Sequence, residues 1–310
     1  MDEKYLYLIG IALLLMGILV FSIIINSNAN KALSTANDAK TQLDSKLNGS
    51  TVSIGTNAGI DQGEESVAIG PYAGKINQGD ATVALGPSAG YENQSIRGIS
   101  IGLYAGFGSQ GEDAIALGSG SGNLNQGNGA IAIGSNAGYN TQGSRSISIG
   151  TNTASQNQGS RAIAIGEEAG HTNQAVTSIA LGYLSARSNQ GTNSIAIGKA
   201  AGSINQGVNS IAIGNNAGYE NQKEESVAIG LRAGKYADAN TIVIGKDAGS
   251  TSSSIVPPGS IVIGTGFDNT TTYGSNTNSL FINPVRAVTN TTGLKQMYYN
   301  PLTSEVVYSA

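Results

Sequence analysis

The chain lacks most of what an enzyme core or a metal site is made from. It has no cysteine, so a disulfide scaffold, a thiolate metal site and a cysteine nucleophile are all excluded. It has no tryptophan, and aromatic residues make up only 5% of its 310 positions. A compact catalytic domain fills its core with large side chains, and these are scarce here. One histidine, His171, stands at a variable turn position, which leaves no basis for a triad or a histidine-ligated metal. Charged residues are 12% of the chain, about half the usual ~25%. With a net charge of −4 there is no basic stripe to neutralise phosphates, so nucleic acid is not an expected partner.

Further chemical motifs are missing on inspection. The pairs Glu64-Glu65, Glu167-Glu168 and Glu224-Glu225 are neighbours along a strand, so their carboxylates diverge, whereas glycosidase acids converge. Gly118-Ser-Gly-Ser-Gly122 lacks the lysine of a phosphate loop. Aspartates do not follow the spacing of calcium-binding nonapeptide rolls. Sequons at Asn48, Asn93, Asn269 and Asn290 matter only where a glycosylation machinery meets them. The expectation is a protein without catalytic residues, cofactor or metal.

What the chain does have is order of a different kind. Residues 5–25, YLYLIGIALLLMGILVFSIII, carry no charge and would form about 31 Å of helix, enough to cross a bilayer. The run is too long for a signal-peptide core, and Asn26-Ser-Asn-Ala-Asn is a poor cleavage site. It reads as a retained anchor, with residues 1–26 as the membrane segment. Residues 27–50 follow without proline, and Ala29, Ala32, Ala36, Ala39 and Leu43 step by three and four. This pattern predicts a short coiled-coil stalk ending at Asn48-Gly49.

From residue 51 the chain repeats. Strand-like segments such as SVAIG and SIAIG end on glycines at 55, 70, 86, 102, 118, 134, 150, 166, 182, 198, 214, 230, 245 and 264. Ten of those thirteen steps are 16 residues. Glutamines from Gln62 to Gln222 keep the same spacing without a slip. The unit is about S-I-A-I-G-x-x-A-G-x-x-N-Q-G-x-x. Sixteen residues are too few for a helical repeat or a propeller blade, and suit one coil of a β-solenoid. The fold class is therefore all-β over residues 51–264: a parallel β-roll of about fourteen coils of 15–16 residues. Gln78, Gln126, Gln158, Gln190 and Gln206 are expected to stack into an amide ladder.

Alternation along each strand separates two faces. Ile69, Ile133, Ile165, Ile197 and Ile213 are assigned to the core ladder. Ala68, Ala132, Ala164, Ala196 and Ala212 belong to a column restricted to Ala and Ser, which suggests tight packing against another chain. That column is assigned to the interface of a homotrimer. Residues 265–310 break the pattern and are expected to form a C-terminal β cap or tip. Leu280-Phe281-Ile282, Leu294 to Tyr299 and Glu305 to Tyr308 read as its strands, with a turn at Asn300 to Thr303. Tyr298, Tyr299 and Tyr308 are the candidate tip residues.

The repeated S-[IV]-A-I-G followed by Ala-Gly resembles the head repeats of trimeric autotransporter adhesins, over about residues 51–249. The resemblance implies a left-handed parallel roll, assembled as a threefold rod that binds host surfaces. The chain departs from those adhesins in its N-terminal anchor, and it has no C-terminal run of four barrel strands. Its layout, and a tail reading LKQMYYNPLTSEVVYS, is also similar to fibre-type structural proteins of large DNA viruses and phages. The expected function is a non-enzymatic, membrane-anchored trimeric fibre of a virion, acting as a spike or a membrane-to-shell tether. The alternative is a cell-surface adhesin binding a receptor or glycan through the roll or tip. Expected partners are a lipid bilayer through residues 5–25, copies of the chain itself, and either capsid proteins or a host surface receptor or glycan.

Overall fold

The computed structural model describes residues 3–46, 51–235, 237–249, 256–265, 277–283, 297–300 and 305–308. One unbroken α-helix, Glu3–Lys46, spans both the apolar run and the alanine-striped segment. Within it Leu8–Thr41 is long and apolar enough to cross a membrane. Its side chains are exposed all round; Leu13, Leu14, Met16 and Phe21 are each more than 60% accessible. From Leu8 to Ile25 the helix is apolar on every side, which suits a lipid surround. The expected stalk end at Asn48-Gly49 lies outside the described residues.

The rest of the described chain is dominated by a parallel β-solenoid. Its main sheet has fifteen strands in chain order, from Val52–Ile54 through Ile131–Ile133 to Leu280–Asn283. From Val67 to Val227 each rung pairs in register with the rung sixteen residues on, as Ile147 opposes Ile163, Ser148 opposes Ala164 and Ile149 opposes Ile165, while the rungs at the two ends are offset by 15 or 19 residues. A second parallel sheet stacks the segments that end in glutamine, six of them in one run from Leu124–Gln126 to Ile204–Gln206. Two three-residue strands per coil, joined by tight turns, account for the 16-residue period.

The turns explain the glycines. Gly70, Gly118 and Gly134 have φ of 126°, 126° and 124°, a conformation that side-chain-bearing residues rarely adopt. A Cβ on Gly118 would lie 2.7 Å from the carbonyl oxygen of Gly134 in the next coil. Each coil glycine therefore lets the following coil approach to stacking distance.

The two strand faces are the reverse of the expectation. Ala68, Ala132, Ala164, Ala196 and Ala212 are fully buried within their own coils, so they line the interior and are not available to another chain. Ile69, Ile133, Ile165, Ile197 and Ile213 point outward and are only half-buried. The physical reason is cross-section. From Gln78 to Gln222 the interior already holds one buried glutamine per coil, beside a second small column (Ser66, Thr82, Ala130, Ser146) and a third (Ala73, Ala89, Ala137). No room is left for two isoleucines. The Ala/Ser restriction records a narrow coil, not a neighbouring chain.

The C-terminal coils are built differently. Past Gln222 the glutamine ladder stops; Val243 and Val262 take the place of Ala in the main-sheet interior column, Val256 pairs with Ala237, and Phe281 packs against this cluster. The strand expected at 280–282 as part of a cap is instead the last rung of the main sheet, with Ile261 opposing Leu280 and Val262 opposing Phe281. Met297–Asn300 and Glu305–Tyr308 form an antiparallel pair, with Tyr299 opposite Val306. The expected turn between them, and residues 294–296, lie outside the described residues.

Candidate functional site

Three features of the roll carry its physical character: an amide ladder inside, an apolar ribbon outside, and polar corners with grooves.

The ladder is assembled as the spacing predicts. The Gln126 amide donates to Gln142 Oε1 at 3.1 Å, Gln158 to Gln174 at 3.0 Å, Gln190 to Gln206 at 3.2 Å, and Gln78 to Gln94 at 3.3 Å. Every such side chain is at least 96% buried. From Gln94 to Gln222 each Nε2 also donates to a backbone carbonyl of its own coil, as Gln158 does to Ile147 at 3.0 Å. A buried amide left unpaired is costly, and here most groups are satisfied. At Ser148, which stands in place of the interior alanine, the ladder runs through the hydroxyl. Gln142 Nε2 donates to Ser148 Oγ at 3.2 Å, which donates on to Gln158 Oε1 at 2.8 Å. Ser100 and Ser148 are thus tolerated because the ladder pairs them. The ladder has two faults: Gln78 Oε1 and Gln190 Oε1 are buried without a partner.

The ribbon is made by the outward isoleucines, leucines and valines, two from each of the fifteen main-sheet strands. Leu85, Leu117 and Leu181 are 40–41% exposed, and Leu280 and Ile282 at the far end 58% and 53%. At about 4.8 Å per rung, this apolar strip runs for roughly 67 Å. Surface strips of that extent are otherwise rare in water.

The corners carry side-chain pairs between coils. Arg97 is paired with Asp113 at 2.6 Å and with Glu112, and Arg232 with Asp247 at 2.5 Å. These hydrogen bonds hold the Asp113 and Asp247 carboxyls below their ordinary range. Lys75 donates to the Tyr91 hydroxyl at 3.0 Å, a bond that raises its pKa. Tyr91 stacks on Phe107 with ring centroids 4.8 Å apart. Lys75, Tyr91 and Phe107 share one column, so those ring faces are occupied by the neighbouring coils. An open groove of about 520 Å³ runs past Asn93, Ser95, Ile96 and Glu112, and one of about 460 Å³ past Asn221, Lys223 and Asp238.

His171 Nδ1 lies 2.9 Å from its neighbour Thr172 Oγ1. Among the described residues no three His, Asp or Glu side chains gather as a metal site. The tip candidates Tyr298, Tyr299 and Tyr308 all fall on the antiparallel pair, where the backbone register sets them opposite Val307, Val306 and Met297. Reasoning from the sequence missed the left-handed asparagine column. Asn157, Asn173, Asn189 and Asn205 all have φ of 53–56° and bond to one another. The signal was present, since Asn is the non-glycine residue most at ease there.

Residues 190–217 match the YadA head domain repeat, in two copies. The matched segment contains the strands Ile195–Ile197, Ile204–Gln206 and Ile211–Ile213, and so covers both sheets. The chain thus carries YadA-like head repeats on a parallel solenoid. No curated protein and no solved structure shows significant similarity to it.

Proposed function

We propose that a roll of YadA-like head repeats, carried behind a lipid-compatible helix, makes this chain a membrane-anchored, adhesin-like surface fibre. It works as a non-enzymatic homotrimer. The observation that carries the reading is the apolar ribbon. Thirty large aliphatic side chains, two per rung over fifteen rungs, lie half-exposed on one face in parallel register. Water contact with that strip is unfavourable by about 25 cal/mol for every Å² left open. Identical straight strips on identical chains are complementary to one another, and closed cyclic symmetry covers all of them at once. Three narrow rods meeting at an axis would each cover the ribbon from both sides, so the isoleucines form the shared core between chains.

The match lies wholly within the roll, so it lends no weight to a virion tether, a reading that came from the tail and the overall layout. The repeat type supports the surface fibre. The decisive measurement is mass in solution. The full chain in detergent should sediment as a trimer, and the double substitution Ile133→Ser with Ile165→Ser should lower that mass while β-type circular dichroism persists. A wild-type monomer would overturn the trimer.

A further inference from the structure

We propose that the polar sheet of the roll is a docking face for an uncharged linear polysaccharide, laid along the fibre axis. The inference deepens the surface-fibre reading and rests on it. The six strands of that sheet read LNQ, NTQ, QNQ, TNQ, SNQ and INQ, and none carries a charge. The glutamine of each turns inward, and the other two residues face out. Asn140 and Gln156 oppose each other in register and are exposed, as are Asn157, Asn173, Asn189 and Asn205.

The geometry of the asparagines leaves them ready to bind. Asn157 Nδ2 donates to Asn173 Oδ1 at 3.0 Å, Asn173 to Asn189 at 3.0 Å, and Asn189 to Asn205 at 2.9 Å. A primary amide has two N–H donors and two acceptor lone pairs. The ladder consumes one of each, so every inner rung still offers one donor and one acceptor to the outside. Because the ladder and the left-handed backbone fix the side chains, little rotamer entropy remains to be lost on binding. The row is straight, with one amide every ~4.8 Å. A hydroxyl of a sugar is likewise both donor and acceptor, and consecutive pyranose rings of an extended glycan advance by a comparable step. A phosphate or polyanionic ligand would need cations in the row itself, and the six strands carry none; Arg187, just before one of them, is paired with Glu168 at 2.8 Å. A protein partner would need an apolar anchor at the centre of this face, where amides and hydroxyls stand instead. The apolar ribbon belongs to the other sheet, so covering it in an oligomer leaves the asparagine face open.

The test is affinity electrophoresis of the full chain in detergent, through native gels containing a soluble neutral mixed-linkage β-glucan. Gels with alginate, a polyanion, serve as the comparison. The glucan should retard the protein and alginate should not. The triple variant Asn157→Gly, Asn173→Gly and Asn189→Gly keeps a residue that accepts positive φ while deleting the amides. It should lose at least tenfold in retardation constant with its circular dichroism unchanged. If that variant unfolds, Asn140→Ala with Gln156→Ala, which lie outside the ladder, must weaken retardation severalfold instead. Absence of retardation by the glucan, equal retardation by alginate, or retardation unaffected in a folded variant overturns the proposal. Trimer mass is measured separately by sedimentation, so failure here leaves that reading standing or falling on its own.

Discussion

At the scale of single residues, size inside the coil outweighs hydrophobicity. Ala164 is fully buried and flanked by the glutamine ladder, whereas Ile165 beside it is half-exposed. Inserting three carbons at the first site forces overpacking, which typically costs about 1–3 kcal/mol, and more where backbone cannot move. We therefore expect Ala164→Leu to lower the melting temperature of the roll sharply, and Ile165→Ser to leave the fold of a single chain intact. Thermal circular dichroism of both variants checks this ordering; a milder effect from Ala164→Leu would refute the narrow-coil account. The ladder supplies a second case. Gln158→Leu removes donors from Ile147 O and Gln174 Oε1 and the acceptor for Ser148 Oγ. Leaving such buried groups unpaired costs about 1–3 kcal/mol each. Gln158→Leu should therefore destabilise more than Gln62→Leu, because Gln62 is only part-buried and bonds to a single carbonyl, Val52 O, at 3.3 Å.

At the scale of elements, the corner ion pairs clamp one coil to the next. The Asp247 carboxyl is held below its ordinary value chiefly by its hydrogen bond from Arg232, and Asp113 by its bond from Arg97. A carboxyl depressed in the folded state adds stability above its unfolded pKa of about 3.9, and that contribution fades as pH falls through the folded value. The stability of the wild type should consequently decline below about pH 4. Asp247→Asn should flatten that decline, which denaturant titrations at pH 7 and pH 3 would reveal. Salt should mimic the substitution at neutral pH, since the pair is partly exposed. The strands and their period are legible in the sequence, because glycine, asparagine and glutamine recur where turns need them. The choice of inner face is not. Alternation defines two faces but does not say which is inside, and a familiar preference for buried isoleucine pointed the wrong way. The deciding clue was the unbroken glutamine column: a large amide repeated at one place implies small partners around it. The C-terminal switch to Val243, Val256 and Val262 follows the same rule, since valine fills the space that glutamine vacates beyond Gln222.

At the scale of the whole molecule, the roll is a one-dimensional stack in which each coil touches only the coils before and after it. Stability in such a stack is close to a sum over coils and their junctions, so whole coils can be removed without rewriting the rest. Deleting residues 135–166 takes out two complete coils and joins Gly134 to Glu167. Ile131 and Ile133 would then oppose Ile179 and Leu181, and Gln126 would meet Gln174 in the ladder, the same residue types that neighbour each other in the intact chain. Such a shortened fibre should fold, bind its own copies, and measure about 10 Å less in length by electron microscopy, two rungs at ~4.8 Å each. Deleting only residues 135–142 removes half a coil. It places the outward strand where the glutamine strand belongs, so large aliphatic side chains are driven into the narrow interior. That variant should lose the β-type circular dichroism or aggregate. If the half-coil deletion folded as well as the two-coil deletion, register between coils would not be what holds the roll together, and the stacked-rung account of its stability would have to be given up.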